Sequence, residues 1–188
     1  MSPPRAHPVT AFEGTQRLVS GPLADVALAV KRAGGGALVF DDLTGQLVEL
    51  DLRGSEAEIL ARLPEQEPPP PVAPRGRGRP KLGVVAREVT LLPRHWEWLA
   101  AQPGGASVAL RKLVEQARRE NAGQDATRAA GEAGYRVMSA LAGNLPGFEA
   151  ASRALFASDR AGLKTAAAGW PAELLAYIEA IAFRPPPA

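Results

Sequence analysis

Val84-Val85-Ala86-Arg87-Glu88-Val89-Thr90-Leu91-Leu92-Pro93 changes its period at the last residue. Up to Leu92 the side chains alternate. Val85, Arg87, Val89 and Leu91 point one way; Ala86, Glu88, Thr90 and Leu92 point the other, which predicts a strand. Pro93 has no N–H to give a sheet, and its fixed φ suits the first turn of a helix. Helix one is expected from Pro93 to about Gln102, where Pro103-Gly104-Gly105 breaks it. Ser107 is a good N-cap for helix two, and Leu110, Leu113, Val114 and Ala117 then share one face. Strand, helix and helix over 84–121 set the fold class as α+β and mostly helical.

Upstream lies Pro74-Arg75-Gly76-Arg77-Gly78-Arg79-Pro80-Lys81, four cations in eight residues with no large apolar side chain. It cannot be core, but it can lie along a polyanion. Between Arg75 and Glu120 ten cations face four anions, a local charge of +6, so the rest of the +2 chain carries −4. Charge concentrated in one module is the footprint of a polyanion binder. Before it, 64–83 is a linker whose run Pro68-Pro69-Pro70-Pro71 favours an extended spacer of about 3 Å per residue. A ligand role for proline-recognising domains is the other reading of that run.

The N-terminal stretch, 9–63, reads as a small α+β domain. Thr10–Gly14 and Gln16–Val19 suggest a short strand or hairpin. Pro22 opens a helix that Gly34-Gly35-Gly36 stops. Ala37-Leu38-Val39-Phe40 is an apolar strand, and Asp42-Leu43-Thr44-Gly45 is turn chemistry. Leu47 to Leu52 reads as a further strand with Val48, Leu50 and Leu52 inward. Ser55 with Glu58 is a capping box for a helix ending near Leu63. Downstream, Ala122–Gly134 is small and polar and reads as a second linker. A helical C-terminal module follows over 135–183, with breaks at Asn144-Leu145-Pro146-Gly147 and Gly169-Trp170-Pro171.

Several classes of function find no support. The chain has no cysteine, which excludes disulfides, thiol catalysis and cysteine-held zinc. His7 lies in a loose start and His95 on helix one, neither near a nucleophile or carboxylate pair in sequence. Glu149 and Asp159 are expected to be helix caps or solvated charges rather than metal ligands. No glycine run is followed by Lys-Ser/Thr, so there is no phosphate-cradling loop. The chain is therefore not expected to be an enzyme or to hold a cofactor. Met1–Pro8 lacks a signal-peptide core, and no run of about 18 apolar residues exists, so the expectation is a cytoplasmic protein without a membrane span.

Arg77-Gly78-Arg79-Pro80 resembles the core of an AT-hook. The resemblance implies that Arg77 and Arg79 enter the minor groove of A·T-rich DNA, where narrow grooves concentrate negative potential. Gly78 would let the backbone press onto the groove floor, Pro80 would fix an extended exit, and Arg75 and Lys81 would meet phosphates. A flexible basic linker is the alternative reading. Val84 through Arg119 resembles the ribbon-helix-helix family of bacterial DNA-binding proteins, which dimerise by pairing one strand from each chain. A two-stranded ribbon fits the major groove. The resemblance implies that Glu88 and Thr90 face that groove and that Ser107 caps helix two at a phosphate. Ala86 and Glu88 depart from the basic or amide side chains common there, so a dimerisation unit without DNA contact is the alternative. Trp96 and Trp98, two apart, cannot share a face; Trp96 is expected in the core with Leu99. A stacking platform for single strands is the other reading of the pair.

Tyr135-Arg136-Val137-Met138, Gly143 through Glu149, Arg153-Ala154-Leu155-Phe156 and Trp170-Pro171 resemble a bacterial family catalogued only as a domain of unknown function, over about 10–182. Together these readings predict a homodimer that binds double-stranded DNA at the nucleoid, as a transcriptional regulator or nucleoid-associated protein. The C-terminal helices are left to hold a protein partner. The competing class is an antitoxin-like partner binder that dimerises without specific DNA reading.

Overall fold

β1 (Pro8–Glu13) carries its apolar residues on both faces, and that arranges everything around it. β1 pairs antiparallel with β2 (Gln16–Pro22) through a tight hairpin and, on its other edge, with β3 (Leu38–Asp41), giving the order β2-β1-β3. Both of its faces are covered, one by a cluster with the first helix and one by a cluster with the C-terminal helices. The computed structural model describes residues 3–65 and 83–185. Two units divide the chain, Met1–Gln66 with Gly123–Ala188, and Glu67–Ala122.

In the first unit the faces of β1 sort by period two. Val9 and Ala11, with Val39 of β3, pack with Leu23, Val26 and Val30 of α1 (Leu23–Arg32). α1 follows Pro22 and stops before Gly34-Gly35-Gly36, as its sequence predicts. Phe12 and Phe40 belong to a second, larger cluster built from C-terminal helices. These are the end of α4 (Gly105–Ala142), α5 (Phe148–Phe156), α6 (Arg160–Ala166) and α7 (Ala172–Ala182). Phe12 meets Phe40 edge-on at 6.3 Å and Tyr177 at 5.1 Å. Residues that the sequence reading divides between 9–63 and 135–183 thus share one core.

The turn after β3 is the tightest part of this junction. Gly45 (φ +64°) sits so close to α4 that a Cβ would fall 2.1 Å from the Ala133 carbonyl oxygen. Arg136 donates to the Thr44 carbonyl, and Arg184 to those of Asp42 and Leu43. The Tyr177 hydroxyl donates to Asp42 at 2.7 Å. Further along α4, Gly134 admits α7, where a Cβ would lie 2.5 Å from that of Ala182.

The segment expected as a further strand joins the sheet only by the bridge Phe40–Leu47 and the Val48 N–H to the Val39 carbonyl. Val48, Leu50 and Leu52 still pack inward, so the inward set is right although the strand does not form. Asp51 accepts from the Arg53 N–H and guanidinium instead of extending a ladder. The capping box of α2 (Glu56–Arg62) is present, with Ser55 and Glu58 each accepting the other's N–H. Asp159 accepts the Gly162 N–H as the N-cap of α6. Ala122–Gly134 is not a linker. It is the middle of α4, because alanines and i,i+3 or i,i+4 contacts such as Arg128–Asp125 support a helix that small polar composition alone disguises.

Candidate nucleic-acid interface

Residues 83–122 are folded as the sequence orders them, except at the strand. The strand expected over 84–92 does not form: Gly83–Leu91 has no regular secondary structure and makes no backbone hydrogen bond to another described residue. α3 (Pro93–Ala100) opens with Leu92 as N-cap and Pro93 in the first turn. α4 starts at Gly105, two residues before the expected cap. Ser107 is therefore inside the first helical turn, exposed, and does not cap it. Gly104 and Gly105 (φ +88° and +74°) supply the turn that a side chain would resist, and α4 begins at the second of them.

The apolar side chains of this region are largely uncovered. Leu99 and Ala109 are buried. Val84, Val85, Val89, Leu92, Trp96, Trp98, Leu113 and Val114 are exposed, with Val85 at 74% and Val114 at 57%. Trp96 does not enter a core with Leu99 as expected; both tryptophans face outward at 40% and 53%. A helix face of Leu110, Leu113, Val114 and Ala117 is the pattern of a buried stripe, yet every residue from Arg111 to Asn121 is exposed.

Charge lies beside that surface. Arg87, Arg94, Arg111 and Lys112 are exposed and pair with no described carboxylate. Arg118 and Arg119 share Glu115 at 3.2 and 3.4 Å, and such exposed pairs contribute little to stability. Glu88 and Thr90 are exposed on this irregular segment. Arg75, Arg77, Gly78, Arg79, Pro80 and Lys81 lie outside the described residues.

The first unit holds a polar cluster that sequence spacing does not disclose. His7 Nε2 meets Asp41 at 2.8 Å, both side chains mostly covered, although 34 positions separate them. Burial pushes the Asp41 carboxyl up, but the N–H groups of Thr44 and Leu43 and the His7 ring outweigh it and hold the carboxyl low. Burial first, and then the Asp42 carboxylate, push the Tyr177 phenol far above its ordinary range, so it is a fixed donor. Buried Glu179 is satisfied by Arg160 at 3.0 Å and Lys164 at 3.5 Å. Each of these groups is paired, and together they tie β3, its turn and the C-terminal helices. Among the described residues no group of three or more His, Cys, Asp or Glu side chains is placed to hold a metal.

The three-stranded sheet and the helices define an α+β protein. Residues 8–182 match the family described as "Uncharacterized protein conserved in bacteria (DUF2239)", and the chain belongs to that family. No curated protein and no solved structure matches it. Among the described residues no helix is long and apolar enough to cross a membrane.

Proposed function

We propose that this protein is a homodimeric DNA-binding protein, a transcriptional regulator or nucleoid-associated protein of the cytoplasm. One observation carries the reading: residues 83–122 set a large uncovered apolar surface beside exposed cations without described carboxylate partners. Exposed apolar patches of this kind mark interaction surfaces. A segment without backbone hydrogen bonds to described residues adds groups that a strand from a second chain would satisfy. The +6 charge of 75–120 supplies attraction to phosphates.

The basic stretch carries most of the affinity in this account. Arg77 and Arg79 enter the minor groove, while Arg75 and Lys81 neutralise phosphates. Dimerisation through the segment just beyond it holds two such stretches on one duplex, which raises their effective concentration. Glu88 and Ala86 give the ribbon little to read a sequence with, and Glu88 repels phosphate. That side chain is the observation behind the second reading, a protein-interaction module that dimerises without specific DNA contact.

Gel retardation on A·T-rich and G·C-rich duplexes at two salt concentrations separates the two. The DNA reading predicts binding that weakens steeply with salt, by about 0.9 in log–log slope for each phosphate neutralised. It also predicts that Arg79→Ala abolishes any A·T preference. No retardation at low salt would give the case to the interaction module.

A further inference from the structure

We infer that the Trp98 face of α3 binds single-stranded DNA, the indole stacking on an unpaired base while Arg94 holds the adjoining phosphate. This rests on the nucleic-acid part of the proposed function and adds an unpaired form of the ligand to it.

The two exposed tryptophans of α3 are not equivalent. At about 100° per residue they project about 200° apart around the helix. Trp96 follows Leu92 by four residues and precedes buried Leu99 by three, so it continues an apolar face. Trp98 follows Arg94 by four residues and His95 by three, and both of these are exposed. Gln102, four residues further on, donates to the Trp98 carbonyl at 3.1 Å. Trp98 is thus a single large aromatic among polar side chains. The third tryptophan, Trp170, is buried with its N–H on the Pro146 carbonyl, the ordinary fate of an indole in a core.

The neighbours of Trp98 select its ligand. Arg94 pairs with no described carboxylate, although Glu97 lies about one turn away on the same helix. The charge of 75–120 is +6, which favours an anionic ligand. A bilayer surface takes a helix with a continuous apolar face, which the Trp98 side of α3 lacks. Duplex DNA offers phosphates but keeps the faces of its bases stacked on one another. An unpaired strand offers both groups that this face asks for, a π-face to the indole and a phosphate to the guanidinium. Imidazole rings stack on bases too, so His95 beside Trp98 widens the platform.

Binding of a fluorescent oligo(dT) to the full chain, read by anisotropy at two salt concentrations, tests this. Gel retardation of duplex DNA and flotation with phosphatidylserine vesicles are run beside it. Trp98→Ala, Trp98→Phe, Trp96→Ala and Arg94→Ala are compared with wild type; all three positions are exposed, and circular dichroism checks that each variant folds. The expected result is oligo(dT) binding that Trp98→Ala weakens about 5- to 150-fold, the loss of one stacked base. Trp98→Phe keeps a ring and most of the binding, and Trp96→Ala changes it less than about twofold. Arg94→Ala lowers the log–log salt slope by about 0.7, one phosphate of a single strand. Unchanged binding by Trp98→Ala, or an equal loss from Trp96→Ala, overturns the inference. Vesicle binding that depends on Trp98, with no binding of oligo(dT), overturns it in favour of a membrane surface. Duplex retardation without oligo(dT) binding removes the inference and leaves the proposed function standing. Trp98-dependent oligo(dT) binding without duplex retardation supports the inference and removes the duplex reading.

Discussion

The two ends of α4 live in opposite surroundings. From Ala130 to Ala142 its inward face, Ala133, Val137 and Met138, is fully buried within one chain. From Arg111 to Asn121 no residue is buried, although Leu113 and Val114 continue an apolar stripe. The same helix obeys the same pattern rule at both ends, but among the described residues only one end is covered. The pattern of a sequence specifies that a face will be covered. It does not specify which chain covers it.

The contrast makes graded predictions. Phe12→Ala removes a ring buried among Phe40 and Tyr177, and is expected to cost about 3–5 kcal/mol in urea unfolding of the full chain. Gly134→Ala forces a methyl against Ala182 between α4 and α7 and is expected to cost about 1–3 kcal/mol. Ser55→Ala removes the cap of α2 and is expected to cost about 1 kcal/mol. Leu113→Ser at the open end is expected to change single-chain stability by no more than about 0.5 kcal/mol, yet to weaken self-association. A large loss of single-chain stability from Leu113→Ser would erase the contrast, because Leu113 would then be covered within its own chain.

Acid sharpens the closed end as well. The Asp41 carboxyl is held below its ordinary range in the folded chain. Its contribution is therefore present above the ordinary carboxylate range and lost as pH falls through its lowered value. Asp41→Asn should flatten that acid limb in stability measured against pH, while Ser55→Ala should leave the Asp41 part of it in place.

Local signals in the sequence were dependable where the chemistry is local. Pro22, Gly34-Gly35-Gly36, the Ser55–Glu58 box and Leu92-Pro93 each marked a real boundary. Ser107 misled because Gly104 and Gly105 start α4 by backbone freedom, which needs no side-chain cap. Ala122–Gly134 misled because loop composition and an exposed alanine-rich helix look alike without an apolar stripe. The shared core was harder to see, since it depends on both faces of β1. Val9-Thr10-Ala11-Phe12 carried the hint: four covered residues in succession need two layers, and the first part of the chain supplies only one. His7 and Asp41 meet only through the fold, so no spacing rule finds them. The basic stretch remains a reading of residue types alone.

Solution mass of the full chain tests the central claim most directly, by sedimentation equilibrium at rising concentration. The account predicts twice 19.7 kDa for the wild type and a shift toward a single chain for Leu113→Ser. A wild type that stays at 19.7 kDa up to its solubility limit would contradict it.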